Sequence, residues 1–131
     1  ARAAAIPTVS QHGFVPRDAL RTIPIVDVNG HAGTLDLQRG RTIVAIVDPR
    51  CESCRAIVNS MRGASGIRIL SMAPLAETRE MAQKTGLTPA IAMLGKPVPM
   101  RLESQLQIYP QLFIVDGGKV VRSCASLEEC R

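Results

Sequence analysis

The fold is decided by the stretch TIVAIVDPRCESC, which occupies residues 42–54. Its first six residues form a continuous run rich in β-branched side chains, which predicts a strand buried on both faces of a sheet. After a short polar break, apolar residues recur at i, i+3, i+4 and i+7 from Cys54 onward, which predicts a helix over residues 51 to about 62. The pair Cys51 and Cys54 therefore opens a helix directly after a buried strand.

This placement of the two cysteines favours thiol chemistry. Cys51 is predicted at the helix N-terminus, where unpaired backbone N–H groups and the positive end of the helix dipole stabilise a thiolate. Cys54 shares the apolar face of the helix, so we expect it to be shielded from solvent. An exposed nucleophile, Cys51, and a shielded resolving thiol, Cys54, are the two parts that disulfide exchange needs.

Two other interpretations of this pair stay open. A structural disulfide is the weaker of them in energetic terms, because a loop with two intervening residues removes little entropy from the unfolded chain. Zinc bound by four thiolates would recruit Cys124 and Cys130 as well. Zinc-binding pairs usually lie in tight turns, whereas five residues separate this second pair.

Length and composition exclude several classes of protein. The chain has 131 residues, which favours a single domain, and its 46% apolar and 21% charged residues are typical of globular proteins. With only Phe14, Tyr109 and Phe113 as aromatic residues, it is a poor candidate for binding single-stranded nucleic acid by base stacking. The net charge of +5 is scattered along the sequence, which indicates a solvated basic surface and no nucleic-acid partner.

The N-terminal region is predicted to lie outside the main domain. Residues 1–21 contain turn-forming Pro and Gly with little periodicity and are predicted to form an irregular arm, followed by one domain over residues 22–131. The longest apolar run is far shorter than the roughly 20 residues of a membrane span. The Ala-rich residues 1–5 are either a linker left after removal of a signal peptide or membrane anchor, or simply a boundary, and such a removed anchor is the one membrane contact we expect.

The remaining pattern alternates strands and helices, as in an α/β domain. Asn29-Gly30 is a strong turn signal and predicts a hairpin over residues 23–37. Ser126 is a fair N-cap for a closing helix. The other predicted strands are 42–47, 67–72, 90–94, 111–115 and 119–122, and the other predicted helices are 75–85 and 102–106.

The order of these elements and motifs resembles the thioredoxin fold, and within it the extracytoplasmic TlpA-like thiol-disulfide oxidoreductases. The resemblance covers about residues 22–131. The Cys51–Cys54 motif follows the central strand, and Tyr109-Pro110 stands before QLFIVDGG, residues 111–118, where the family has its cis-proline. The leading segment, residues 24–37, resembles the added N-terminal hairpin of the TlpA-like and peroxiredoxin branches.

The resemblance implies a central mixed sheet flanked by helices, and a periplasmic or otherwise extracytoplasmic bacterial enzyme. It implies that Cys51 forms a mixed disulfide with a protein substrate and that Cys54 resolves it, with no metal or cofactor. Pro110, in cis, would lie beside the sulfurs and, with Tyr109, expose backbone groups for strand-like pairing with the substrate. The partners would be protein thiols or disulfides and a redox partner protein. We expect a monomer, because no dimerisation region is recognisable.

The sequence departs from the family pattern around the motif. Arg50 stands where the family often has Trp, and Ala45 stands where thioredoxin has a buried acid six residues before its nucleophile, so its proton relay is not expected here. Glu52 should disfavour the Cys51 thiolate, whereas Arg50 and Arg55 should favour it. These opposing charges leave the sign of their combined effect on the Cys51 pKa open.

The second pair is Cys124, at the end of the last predicted strand, and Cys130, in the closing helix. In a thioredoxin-like sheet the last strand runs parallel to the central one, so its end lies on the same side as Cys51. The favoured interpretation is a structural disulfide that ties the helix to the strand. A second redox pair that exchanges with Cys51–Cys54 is the sharper hypothesis, and two reduced thiols are the third.

A different function on the same fold is the alternative. A copper metallochaperone could use the cysteines as soft ligands. Such proteins usually separate their two cysteines by three residues and add a distal His, and this sequence shows neither feature. A non-catalytic binding protein is the remaining alternative.

Overall fold

A computed structural model describes residues 13–131. The strands in this part of the chain are β1 (Thr22–Asp27), β2 (Ala32–Asp36), β3 (Arg41–Val47), β4 (Ile67–Ser71), β5 (Ile91–Leu94), β6 (Gln111–Asp116) and β7 (Lys119–Ser123). The helices are α1 (Glu52–Ser60), α2 (Leu75–Thr85), α3 (Met100–Leu106) and α4 (Leu127–Cys130). Every predicted strand and helix is present, with ends within two residues of the predicted ones. None of these helices is long and apolar enough to cross a membrane.

The strands form one mixed sheet in the order β2-β1-β5-β4-β3-β6-β7. The three inner strands β3, β4 and β5 are parallel, and β6 is antiparallel to β3. Since β7 is antiparallel to β6, it runs parallel to β3, as expected. The β1–β2 hairpin extends the sheet beyond β5 through antiparallel pairing. The predicted fold, a central mixed sheet flanked by helices with an added N-terminal hairpin, is confirmed.

Strand β3 lies in the middle of the core because both of its faces are covered. Ala45 and Val47 belong to an apolar cluster on the side of α1, α2 and α4. Val44 and Ile46 point the other way, into a cluster with α3 and with Phe14. This alternation explains why the uninterrupted apolar run of β3 carries no polar face, and it confirms the prediction of a strand buried on both sides.

The predicted N-terminal arm is described only in part, because residues 1–12 lie outside the described residues. From residue 13 onward the chain packs against β6 and β7. Phe14 is buried, and its ring centroid lies 5.2 Å from that of Phe113. The backbone N–H of Arg17 donates to Val120 (2.9 Å), and the Val120 N–H donates back to Asp18 (2.8 Å). This segment therefore covers the edge strand β7.

Candidate active site

Cys51 and Cys54 lie where β3 passes into α1. Cys51 is the N-cap residue of α1, with an extended backbone (φ −97°, ψ 126°), and its carbonyl accepts the helical bond from Arg55 N–H at 3.0 Å. Its own N–H donates to the carbonyl of Asp48 at 2.9 Å, which closes the turn between strand and helix. Both thiols are free: Cys51 is half-buried, whereas Cys54 is fully buried under the first turn of α1. The predicted contrast between the two cysteines is present in the structure.

The Cys51 thiol carries a lowered pKa. The largest cause is a hydrogen bond from the hydroxyl of Ser53, whose Oγ lies 3.2 Å from Cys51 Sγ, and bonds from the Cys54 thiol and backbone add to it. Hydrogen bonds to a charged group favour its charged form. The role of Ser53 was not anticipated from the sequence. The signal that indicates it is a hydroxyl residue two positions after the cap, within reach of the cap side chain.

Cys54 has the opposite character. Burial raises the pKa of the Cys54 thiol to about 12, hydrogen bonding with the Asp48 backbone opposes this, and the neighbouring Cys51 thiol and Asp48 charge add to the rise. A thiol with this pKa remains protonated near neutral pH, so Cys54 is a poor nucleophile while Cys51 is reduced. The site therefore contains one reactive sulfur and one protected sulfur.

An ion pair between buried Asp48 and exposed Arg50, beside the motif, is a second feature that the sequence reasoning missed. The side chain of Asp48 is 5% exposed, and its Oδ1 accepts from the backbone N–H of Arg50 (2.8 Å) and from Arg50 Nε (2.9 Å). Its Oδ2 accepts from Arg50 Nη2 at 2.7 Å. These bonds hold the pKa of Asp48 below its usual value. An acid directly after a buried strand and two residues before an Arg is the signal that indicates such a pair.

This pair corrects an expectation about the charges around Cys51. From the sequence we expect Arg50 and Arg55 to favour the thiolate against Glu52. In the structure the Arg50 guanidinium is bound to Asp48, and Arg55 Nη1 donates to a backbone carbonyl, that of Pro49, at 3.1 Å. Neither guanidinium is among the causes that lower the Cys51 pKa. Short hydrogen bonds within the first turn of α1 act on the thiol instead.

Tyr109 and Pro110 lie at the same edge of the sheet as the motif. The peptide bond between them is cis. Gln111 pairs with Ile46 of β3, so Pro110 comes level with the end of β3, from which α1 starts. Tyr109 is 42% exposed. The structure thus brings both residues to the edge that carries the cysteines.

Cys124 and Cys130 form a disulfide, with their Cα atoms 5.5 Å apart. The pair is therefore not reduced in the structure, which contradicts the third interpretation above. The Cys124 N–H extends the sheet by donating to the carbonyl of Leu112 at 2.8 Å, and Cys130 is buried in α4. Cys54 and Cys130 belong to the same apolar cluster, and Cys51 and Cys124 pack against it. Both pairs therefore lie on one face and at one edge of the sheet.

The four-thiolate zinc site is contradicted for the same reason. The disulfide occupies two of its four sulfurs. Among residues 13–131, no three or more His, Cys, Asp or Glu side chains are grouped so that they could hold a metal ion.

Comparison with known proteins identifies the fold class. No protein-family model matches the chain, and no curated protein matches it. Solved structures do match. The thioredoxin domain of a thiol-disulfide oxidoreductase from Bacteroides vulgatus is 17% identical, with a TM-score of 0.71 over 90% of this chain and 94% of that one.

Two further structures agree with this result. A thiol:disulfide interchange protein from Bacteroides sp. is 19% identical, with a TM-score of 0.66 over 84% of this chain and 81% of that one. A peroxiredoxin-like protein from Aquifex aeolicus is 12% identical, with a TM-score of 0.65 over 88% and 78% of the two chains. The chain has the thioredoxin fold, and the structures it is similar to include thiol-disulfide oxidoreductases. The resemblance inferred from the motifs is confirmed at this level.

Proposed function

We propose that the protein is a thiol-disulfide oxidoreductase that exchanges disulfides with protein substrates through Cys51 and Cys54. The observation that carries this proposal is the contrast within the pair. Cys51 is half-buried at the open end of a helix, and the Ser53 hydroxyl lowers its pKa. Cys54 is three residues away and buried, and burial raises its pKa to about 12. One sulfur is ready to attack, and the other is held back until a mixed disulfide exists.

The reaction consists of two exchange steps in the reducing direction. In the first, the Cys51 thiolate attacks one sulfur of a substrate disulfide and forms a mixed disulfide with it, while the substrate S–S bond breaks and the other substrate sulfur leaves as a thiolate. In the second, Cys54 gives its proton to solvent or to the departing sulfur and attacks Cys51. The mixed disulfide breaks, a Cys51–Cys54 disulfide forms, and two electrons have passed to the substrate. The oxidising direction is the reverse of these steps.

Tyr109 and Pro110 are the proposed substrate-binding residues. They form the loop that leads into β6, at the edge of the sheet where Cys51 begins α1. The exposed ring of Tyr109 offers an apolar contact. Pro110 has no N–H and so cannot donate a backbone hydrogen bond to a neighbouring strand of the protein. A substrate chain that pairs with the backbone of this loop would bring its disulfide next to Cys51 Sγ.

A redox partner protein and an extracytoplasmic location complete the proposal. After each turnover a second thiol protein must return the Cys51–Cys54 couple to its starting state. The Cys124–Cys130 disulfide supports a periplasmic or otherwise extracytoplasmic site of action, because disulfides persist in oxidising compartments. We propose that the protein acts as a monomer.

The test is an insulin-reduction assay and an oxidative-refolding assay with wild type, Cys51→Ala and Cys54→Ala. We expect Cys51→Ala to lose exchange in both assays. Cys54→Ala should accumulate a mixed disulfide with the substrate, visible on a non-reducing gel and by mass, because the resolving sulfur is missing. Wild type without activity in either assay would overturn the proposal, as would a Cys51→Ala variant as active as wild type.

A further inference from the structure

The side-chain amide of Gln111 is bonded to three separate backbone groups. Its Nε2 donates to the carbonyl of Gln105 at 2.6 Å and to that of Ile108 at 2.7 Å. Its Oε1 accepts from the backbone N–H of Phe14 at 2.8 Å. A primary amide has two N–H donors, so both are used, and the three partners fix which end of the amide is oxygen and which is nitrogen.

Two of these bonds join the residues on either side of the Tyr109–Pro110 loop, the proposed substrate-binding loop. Gln105 lies in the last turn of α3, and Ile108 follows the end of this helix by two residues. Tyr109 and Pro110 are the two residues between Ile108 and Gln111. The bond from Gln111 to Ile108 therefore joins the residue before this loop to the residue after it, so it acts as a brace across the loop.

The third bond connects the brace to the N-terminal segment. A side-chain carbon added at Gly13 would lie 2.1 Å from Gln111 Oε1, so only glycine fits in that position without displacing the amide. Phe14 is held in turn by its ring packing on Phe113 and by the Ser123 hydroxyl, which donates to the Phe14 carbonyl at 3.1 Å. The amide is thus enclosed on the side away from the loop.

These bonds are separate from those that build the strand. The backbone of Gln111 is already paired with Ile46 in the ladder between β6 and β3. Removing the Gln111 side chain therefore leaves that pairing in place and removes the three bonds that tie the loop to the end of α3 and to Phe14. Gln105 Nε2 still donates to Asp18 Oδ2 at 2.9 Å, so α3 stays joined to the N-terminal segment while the loop loses its brace. The bonds that lower the Cys51 pKa come from Ser53 and Cys54 and do not involve Gln111.

We propose that Gln111 is a positioning residue that fixes the Tyr109–Pro110 loop for the binding of protein substrates. This inference rests on the proposed function and deepens it. The amide contacts neither the sulfurs nor the substrate and acts through the loop. A protein substrate that binds an unbraced loop must also order it, which weakens binding. A small disulfide that reacts with Cys51 without using the loop is unaffected.

The variant Gln111→Met keeps the approximate length of the side chain and removes all three hydrogen bonds. We expect the KM for a protein substrate to rise about ten-fold, which corresponds to about 1.4 kcal/mol of binding free energy, with kcat within about two-fold of wild type, because the substrate must then also order the loop. The reaction rate of Cys51 with 5,5′-dithiobis(2-nitrobenzoate) should remain that of wild type. Ile67→Val is the control for a small loss of stability. Ile67 is buried at the start of β4, at the end of the strands that lies away from the Tyr109–Pro110 loop.

A second readout does not depend on activity. Tyr109 is the only Tyr of the chain, and there is no Trp, so intrinsic fluorescence reports on this loop alone. Acrylamide quenching of Tyr109 should increase in Gln111→Met and remain unchanged in Ile67→Val. Gly13→Ala, which displaces the amide without removing a polar group, should increase it as well and replaces Gln111→Met if that variant does not fold.

The outcomes separate this inference from the proposed function. If a folded Gln111→Met variant shows unchanged quenching and an unchanged KM, the positioning role is overturned. This holds even if its melting temperature falls, because the side chain would then contribute to stability only. If wild type exchanges no disulfides with proteins, the proposed function fails. The quenching measurement still decides whether Gln111 holds the loop.

Discussion

The two cysteine pairs lie on one face and at one edge of the same sheet, yet one pair is reduced and the other forms a disulfide. Cys51 and Cys54 are free thiols at the start of a nine-residue helix, whereas Cys124 and Cys130 are joined across a strand end and a four-residue helix. Residue type alone does not separate them. The difference comes from what each helix needs in order to stay in place.

Helix α1 holds its position without a disulfide between its cysteines. Val58 is fully buried among the apolar residues on its side of the sheet, as is Met61 just after the helix, so the helix is anchored along its length. Helix α4 has a single turn, which is too short to be stable by itself, and it is held by the Ser126 cap and the bond to Cys130. A disulfide between Cys51 and Cys54 can therefore form and open, as the proposed exchange requires, without loosening α1, while opening the Cys124–Cys130 disulfide releases an element of the fold.

The largest effect that tests this comparison is expected from Cys124→Ala/Cys130→Ala. The disulfide closes a short loop, with a sequence separation of 6, so its removal should cost about 2 kcal/mol of the free energy of unfolding and roughly 5–10 °C in melting temperature. Exchange activity per folded molecule should stay at the wild-type level. Thermal unfolding and the insulin-reduction assay, run well below the melting temperature, measure the two quantities.

Leu35→Ala is the matched control for this prediction. Leu35 is buried in β2, at the opposite edge of the sheet, and its truncation costs at least about 2 kcal/mol without touching a cysteine. If the double Cys variant loses turnover at unchanged stability, the comparison fails. The second pair would then be a relay that exchanges disulfides with Cys51–Cys54.

A smaller effect is expected from Asp48→Asn, beside the first pair. Asparagine keeps an acceptor for the Arg50 backbone N–H and loses the charged bonds to its guanidinium, so the free energy of unfolding at pH 7 should fall by about 1 kcal/mol. The same change removes a negative charge that raises the pKa of Cys54, so that pKa should fall. Urea unfolding and the pH dependence of Cys54 alkylation in a Cys51→Ala background measure the two effects.

The pH dependence gives this prediction its sign. Asp48 has a lowered pKa in the folded state, so it stabilises the fold above the ordinary pKa of the unfolded chain, about 3.9, and this contribution is lost as the pH falls through the folded value. The difference between wild type and Asp48→Asn should therefore shrink on acidification below about pH 4. Asp36→Asn is the control, because Asp36 accepts a similar backbone bond from Gln38 at an exposed site. A difference that is the same at pH 3 and pH 7 would contradict the assignment.

Much of the fold could be predicted because its signals are local. The helix at residues 75–85 was predicted to the residue, since a helical pattern ends at Gly86, which adopts the left-handed conformation that closes a helix. The run at 42–47 identified the central strand because an uninterrupted β-branched stretch fits only a strand with two covered faces. The cysteine contrast followed from the same register, which places Cys51 at the cap and Cys54 on the apolar face.

The parts of the site that escaped prediction depend on contacts that spacing does not encode. Asp48 belongs to the polar break after the strand, and only the folded chain shows that its carboxylate is buried and bonded to Arg50. Gln111 binds Phe14 across 97 residues of sequence. Such a bond depends on how the N-terminal segment packs on β6, and no local pattern indicates it.

The smallest effect, and the finest test of the first pair, is expected from Ser53→Ala. The Ser53 hydroxyl is the largest cause of the lowered Cys51 pKa, so its removal should raise that pKa and move the iodoacetamide alkylation profile of Cys51 to higher pH. Because the thiolate is the reacting species, the variant should react several-fold more slowly at neutral pH and at the wild-type rate well above both pKa values.

Ser60→Ala is the matched control, because the Ser60 hydroxyl donates to the Ile57 carbonyl within the same helix, far from the sulfurs. Its alkylation profile should coincide with that of wild type. If Ser53→Ala also coincides with wild type, the Cys54 thiol and the backbone at the start of α1 set the reactivity of Cys51. The contrast with Cys124, which ends a strand and begins no helix, would then rest on helix position without any contribution from the residues between Cys51 and Cys54.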